Sequence, residues 1–505
     1  MRAVLVSLDW FQVPDVAGTC LRDWARRDDA LRGVSIELAA FTRDKSAADA
    51  ARELAALEPA LAGFTCYVWN VAAVLEICAE LKRLRPSVKI VLGGAEPAPI
   101  PEKMLGAHPQ VDFVALGEGE ETFRLLLRAV ALGDAPVSSV PGLAYRDGVQ
   151  VVRTPVAPLI DLDAMTPVYD GAAGTGHKAL LETARGCPFL CSFCDWGPRK
   201  MRYVPLDRVE REIAALSERY KLVILCDADP LMEKERGLAL MEKFYAASRG
   251  KEFVVQFDTN PVFLWDEAID IVARDPAVFH FSFGLQSTNP ATIKRIHRPF
   301  DLPRMEKNLR ELKRRAPDAR IAFSIIYGLP GDSLDSFRST VDWVLQWKPT
   351  TFGANQLVML PGADIVGEKP HPKLVYQKDP PYQVYETDAM DRADMARARE
   401  LSYYASLLFG FRWISFSSCA DALFEGLDPL TMAPGSRVAL VEGWIEHVKK
   451  AGIDLTFGKP VIETDEFVQR HLYMKALERL SADKLSAAAL LHATRLYAAG
   501  RRVPA

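Results

Sequence analysis

Residues 179–197 read ALLETARGCPFLCSFCDWG. The first half is an apolar run suited to a buried strand. The second is a loop that sets Cys187, Cys191 and Cys194 in a CxxxCxxC frame. The chain has eight cysteines, so three within eight residues need a reason. A zinc ribbon would add a second CxxC pair further along, and the sequence has none. An iron–sulfur cubane has four irons, normally each held by a thiolate, so three ligands leave one iron open to another donor. Cys20, Cys66, Cys78, Cys226 and Cys419 stand alone, mostly in apolar stretches, and read as small core residues.

That first strand opens a series. KLVILCDAD (221–229), FVVQFDTN (253–260), HFSFGLQS (280–287), IAFSIIYGLPG (321–331) and TFGANQLVML (351–360) follow it, separated by helical stretches near 206–219, 233–249, 265–274, 290–297, 302–316 and 333–348. Six β/α units in about 180 residues fall short of the eight in a full barrel and predict a partial, open (β/α)6 barrel over 179–375.

Upstream, strands again alternate with helices. RAVLVSL (2–8), GFTCYVWN (63–70), KIVLGGAE (89–96) and DFVALGEGE (112–120) read as strands. SAADAARELAAL (46–57), VAAVLEICAELKRL (71–84) and TFRLLLRAVAL (122–132) read as helices. The pattern predicts a Rossmann-like α/β domain over 1–140, with a parallel sheet covered on both faces. Ligands of such sheets bind beyond the carboxyl ends of the strands. Trp69, Asn70, Gly93, Gly94, Gly117, Glu118 and Gly119 all fall at such ends, although a core aromatic and ordinary left-handed turns would explain them too. Residues 141–178 are rich in turn formers and read as a hairpin and linker. Proline-rich 361–382 reads as an arm, and 376–505 as a mainly helical domain. Its Tyr385, Tyr403, Tyr404, Trp413 and Trp444 suit either a cap over the barrel mouth or plain helical packing.

Composition narrows the function. The chain has 505 residues, is 49% hydrophobic and 25% charged, and carries a formal net charge of -4. That balance argues against a nucleic-acid or anionic-membrane binder. No apolar run is long enough to span a bilayer. The opening MRAVLVSLDWF reads as a strand, not a signal peptide, which predicts a reducing, cytoplasmic setting.

The cysteine loop after the first barrel strand, with Phe193 before the last cysteine, resembles the radical S-adenosylmethionine (SAM) superfamily. The resemblance implies that Cys187, Cys191 and Cys194 hold a 4Fe-4S cluster whose open iron is chelated by SAM, which is cleaved to a 5′-deoxyadenosyl radical. It implies a SAM site near Asp227 and Asp229, although the sequence lacks the GGE common there, and near Gln286, Ser324 and Gly328. Asp258 and Tyr327 are the candidate catalytic groups, at the face where barrel enzymes keep their sites. Each of these polar residues could instead be a strand cap.

With GFTCYVWN, PSVKIVLGGAEPAP, DFVALGEGEETF and PGLAYRDG upstream, the chain is similar to cobalamin-binding radical SAM enzymes. The CDWG after the cluster is frequent in methyltransferases of that class. Cobalamin proteins outside the class use a DxHxxG loop whose histidine ligates cobalt. Here the first histidine is His108, so the lower face of cobalt is expected to lack one, with Trp69 covering it. The implied activity is methyl transfer from SAM, through methylcobalamin, to an unactivated carbon of a small molecule or peptide. The alternative is a non-methylating oxidation, cyclisation or rearrangement. The implied partner is an external electron donor of flavodoxin or ferredoxin type, and the chain is expected to be a monomer.

Overall fold

The computed structural model describes residues 1–9, 14–169, 176–367, 374–409, 423–424 and 426–450. Residues 451–505 of the expected helical domain, Trp413 and Cys419 lie outside them.

The first sheet has seven strands: β1 (Arg2–Asp9), β2 (Ser35–Thr42), β3 (Leu61–Thr65), β4 (Lys89–Gly93), β5 (Phe113–Ala115), β6 (Leu143–Asp147) and β7 (Gln150–Arg153). Their order is β2-β1-β3-β4-β5-β6-β7. The first five are parallel, and the β6–β7 hairpin is added antiparallel at the edge. The hairpin is therefore part of the sheet rather than of a linker. Two clusters of buried side chains cover the two faces. Helices Ala47–Ala56 and Val71–Leu84 pack over one, through Leu54, Val74, Ile77 and Leu81. Helices Val16–Ala25 and Gly119–Ala131 pack over the other, through Ala25, Phe123, Leu126 and Leu127. Near-continuous burial along β1 and β3 follows from coverage on both sides.

The second sheet is the partial barrel. Its strands are β8 (Gly176–Leu181), β11 (Tyr220–Leu225), β12 (Val254–Thr259), β13 (Phe279–Gln286), β14 (Arg320–Tyr327) and β15 (Thr351–Gln356). Between β8 and β11, β9 (Ala184–Arg185) and β10 (Arg202–Tyr203) form a two-residue antiparallel ladder. The six-stranded sheet is wholly parallel, in the order β15-β14-β13-β12-β11-β8. Strand parity divides it into two faces. Phe279, Phe281 and Phe283 of β13 are fully buried in the main core, with Phe257 and Phe323. The alternate residues, His280, Ser282, Gly284 and Gln286, are half-buried on the opposite, bore side.

Helices Arg392–Phe409 and Ser436–Lys450 extend the barrel core. Arg437 pairs with Asp342 at 2.7 Å, and the backbone N–H groups of Arg437 and Val438 donate to the same carboxylate. Trp444 is fully buried and meets Tyr404 edge-on, so both are core rather than pocket wall. Among the described residues no helix is long and apolar enough to cross a membrane.

Candidate functional site

The cysteine loop is closed by hydrogen bonds on all sides. The β9–β10 ladder shuts its base, and Cys187 N–H donates to Pro198 O at 2.9 Å. Ser192 N–H donates to Ile296 O (3.0 Å), and Ser192 O accepts from Ile365 N–H (2.8 Å), which ties the loop to segments after β13 and β15. Gly186 stands at φ +98°, and a Cβ there would lie 2.3 Å from Lys200 O. Gly186→Ala is therefore expected to force the loop open and lower the iron bound per chain well below wild type, measured by iron assay after reconstitution. Wild-type iron content in that variant would show that the loop tolerates another path.

Cys191 is buried, Cys187 is half-buried and Cys194 opens toward the large cavity described below. Burial pushes the thiols of Cys187 and Cys194 up, that of Cys194 to about 12, and the neighbouring cysteines add to both shifts. Cys187 and Cys194, which disfavour bare thiolates, suit a cationic cluster, whose binding deprotonates them. Among the described residues no three His, Cys, Asp or Glu groups converge on a single-ion site. A cubane does not need that, since each thiolate takes a different iron. Arg298, which the sequence reading did not single out, donates from Nη1 toward Cys191 Sγ at 3.5 Å and from Nη2 to Gly284 O.

Opposite this loop, the carboxyl ends of β1, β3, β4 and β5 border a cavity of about 690 Å³. Its depth is apolar, with Leu5, Phe64, Val91 and Phe123. Its rim joins the first sheet to the cysteine loop at Cys194, Asp195 and Trp196. Trp69, Asn70, Gly93, Gly94, Gly117, Glu118 and Gly119 all line it. A Cβ on Gly117 would meet nothing within 4 Å, and one on Gly93 nothing nearer than 3.9 Å, so both present bare backbone to open space. That is a wall a flat ligand can approach closely. Gly117 at φ +75° and Gly94 at φ +104° also need glycine for their backbone, and a Cβ on Gly94 would strike Cys66 O at 2.4 Å. Trp69 stacks on Tyr67, with centroids 4.4 Å apart and planes 6° from parallel.

Several expected ligand residues are engaged elsewhere. Asn70 accepts from Tyr67 N–H (2.8 Å) and donates to Leu8 O (3.0 Å) and Thr65 O (3.1 Å), which spends its amide on the loop. Glu118 pairs with Arg185 (3.2 Å) and with Arg202. Arg185 also pairs with Glu120 (2.6 Å) and Glu182 (3.0 Å), forming a partly buried ion network between the first sheet and the cysteine loop. Asp227 accepts from Thr183 N–H, Ala184 N–H and Thr183 Oγ1. Asp229 accepts from Thr259 Oγ1, Leu231 N–H and Asn260 N–H. Both carboxylates are buried and raised to about 6, and they act as strand-end caps rather than as groups open to SAM.

Tyr327 also departs from expectation. It is 3% exposed, meets Phe337 edge-on at 5.7 Å and donates to Gln356, which puts it in the helix-facing layer and removes it from the bore. Asp258 does face the bore. Gln256 Nε2 donates to it at 3.0 Å, Ser282 bonds to it, and burial raises its carboxyl. Ser324 and Gln286 share that side, Gln286 at φ +70° beside a register shift. Gly328 gives room to Met395, whose methyl would lie 2.8 Å from a Cβ there, and Phe193 packs against the main core. Asp227, Asp229, Asp258, Gln286, Ser324, Gly328 and Tyr327 do not line the cavity. Beyond the barrel, Tyr382 reaches back to donate to the buried Glu96 at 2.6 Å, and Glu96 lines the cavity wall.

Comparison with known proteins agrees with this two-part site. Residues 28–127 match the B12 binding domain, and residues 181–344 match the radical SAM superfamily. The chain thus carries, in this order, matches to the two domains that cobalamin-dependent radical SAM enzymes join. It is similar to the cobalamin-dependent radical SAM methyltransferase TokK of Streptomyces tokunonensis, with 31% identity over 57% of this chain and 45% of that protein. It is also similar to the 2-(S-pantetheinyl)-carbapenam-3-carboxylate methyltransferase of Streptantibioticus cattleyicolor, with 29% identity over 75% of this chain and 61% of that one. The chain thus spans only about half to three fifths of these relatives. The radical SAM methyltransferase TsrM from Kitasatospora setae, solved with cobalamin and a [4Fe-4S] cluster, shares the fold at TM-score 0.63 and 17% identity, over 89% of this chain and all of that one. The radical SAM domain implies a 4Fe-4S cluster and SAM, and the B12 binding domain implies cobalamin.

Proposed function

We propose that this chain is a radical SAM C-methyltransferase that delivers a methyl group to an unactivated carbon of a small, natural-product-type molecule. The observation that carries this is the shared cavity. Strand ends of the B12 binding domain and the cysteine loop wall the same space, as a reaction needing both cofactors requires. When bound, the cluster with SAM supplies a radical and the corrin a transferable methyl group.

The chain's own residues hold and shield these groups. Cys187, Cys191 and Cys194 would ligate three irons and leave the fourth for SAM. Gly93 and Gly117 would let the corrin approach the backbone, and Trp69 would cover its lower face. Leu5, Phe64, Val91 and Phe123 keep water from the cavity floor. Asp258, held by Gln256 and Ser282, would orient a polar group of the substrate in the bore. The names of the relatives support a small-molecule substrate. The enzyme would act as a cytoplasmic monomer with an external flavodoxin- or ferredoxin-type donor.

Anaerobic reconstitution with iron, sulfide and hydroxocobalamin tests the reading. Expected are a bound corrin absorption spectrum, a cob(II)alamin paramagnetic resonance spectrum free of nitrogen superhyperfine splitting, and a product heavier by one methylene. Protein that emerges without corrin defeats the proposal. Corrin-loaded protein that consumes substrate without that mass gain assigns it to a non-methylating reaction.

A further inference from the structure

Arg298 reaches the cysteine loop from the segment that follows β13. Its Nη1 donates to Cys191 Sγ at 3.5 Å, and its Nη2 donates to Gly284 O within β13. The segment that carries it is fixed from several directions. Ser192 N–H donates to Ile296 O at 3.0 Å, and Asn260 Nδ2 donates to Pro299 O at 3.4 Å. The backbone N–H of Arg298 itself donates to Ile293 O at 3.2 Å. Gly284 leaves the space for the guanidinium, since a Cβ there would lie 3.0 Å from Nη2, tighter than ordinary contact.

The charge on this guanidinium is not spent on a carboxylate. Among the described residues Arg298 makes no ion pair, whereas Arg185 is held by three glutamates. Asp229 feels the charge of Arg298, but its own oxygens are taken by Thr259, Leu231 and Asn260. The field of Arg298 extends to the other two cysteines. Burial raises the thiols of Cys187 and Cys194, and Arg298 pulls both back. Reduction of a cluster adds one unit of negative charge. A cation that also donates N–H to a ligand sulfur stabilises the reduced state more than the oxidised one, and so raises the potential. Among the described residues no other cation hydrogen-bonds to any of the three sulfurs.

We infer that Arg298 is a positioning residue that tunes the cluster: its N–H···S bond to Cys191 raises the reduction potential of a 4Fe-4S cluster held in this loop. The inference rests on the assignment of Cys187, Cys191 and Cys194 as iron ligands given above. One electron passes from an external donor, which is oxidised, to the cluster, which is reduced. No bond to Arg298 forms or breaks, and its protons stay on the guanidinium.

Arg298→Gln removes the charge. Arg298→Lys keeps the charge, but one ammonium lacks the fork that serves Sγ and Gly284 O together. The full chain and both variants are reconstituted anaerobically with iron and sulfide, and iron per chain is measured first. The cluster is then poised at a series of fixed potentials, and its reduced fraction is read by paramagnetic resonance. The SAM concentration needed for half-maximal 5′-deoxyadenosine release is measured separately, with dithionite as the electron donor.

The expected result is iron near the wild-type level, with the reduced-to-oxidised ratio at a fixed potential lower by about tenfold in Arg298→Gln, or about 59 mV for a one-electron couple. Arg298→Lys should lie between that variant and wild type. A wild-type ratio in iron-loaded Arg298→Gln overturns the inference. If that variant does not load, a wild-type ratio in Arg298→Lys overturns it equally. A wild-type ratio joined to a raised SAM requirement also overturns it, and assigns the guanidinium to the SAM carboxylate. A wild-type chain that takes up no cluster sinks the ligand assignment itself, an outcome distinct from a shifted potential.

Discussion

Cys187→Ala, Cys191→Ala or Cys194→Ala is expected to reduce SAM cleavage to background while leaving corrinoid affinity within a few-fold of wild type. The three thiols are the proposed iron ligands of one loop, and a cubane held by two thiolates is lost or degraded on reconstitution. The proposed corrin site is built separately, from strand ends of the first sheet that make their own hydrogen bonds. Of the three cysteines Cys194 alone lines the cavity, so its variant should show the larger corrinoid effect. Iron content, 5′-deoxyadenosine release and hydroxocobalamin titration measure the three arms. Continued 5′-deoxyadenosine release from any of the variants would overturn the ligand assignment.

Arg185→Ala should have the next largest effect. The Arg185 side chain is 12% exposed and faces Glu118, Glu120 and Glu182, which are 13%, 6% and 24% exposed. Removing it leaves Glu118 with Arg202 but leaves Glu120 and Glu182 without the arginine. Breaking a buried pair on one side costs about 3–5 kcal/mol, and the partial exposure of Glu182 places this site toward the lower end. The expected outcome is a markedly lower thermal midpoint together with reduced iron content, because the same contacts seat the cysteine loop on the first sheet. Arg185→Lys should not rescue, since one ammonium cannot reproduce the fork that serves three carboxylates. A second change, Glu120→Gln, should recover part of the loss by removing a stranded charge. An Arg185→Ala protein that melts with wild type would mean that the network is solvated and weak.

The periodic parts of the molecule were legible in the sequence. All six barrel strands appear within a few residues of expectation, ending earlier because the final residues turn out of the sheet into capping loops. β2 and the helix Val16–Ala25 were not read. β2 is an edge strand with mixed, half-exposed residues and offers neither a clean apolar run nor a strict alternation. The cysteine frame carried its own chemistry. The single polar residues did not: Asp227, Asp229 and Tyr327 lie at the right ends of the right strands, but their side chains meet the protein rather than the bore. A shift of one residue along a strand exchanges its two faces. Arg185 was visible in sequence, yet its role depends on glutamates 65 and 67 residues away, which no local pattern connects.

The bond between Tyr382 and Glu96 joins residues 286 positions apart and holds a carboxylate that lines the cavity. A ribosome adding about 5–20 residues per second needs roughly 15 to 60 seconds to travel from one to the other. For most of that interval the nascent B12 binding domain has its sheet, with Glu96 waiting for its donor. Folding of the first domain thus precedes the contact that fixes this part of the cavity lining.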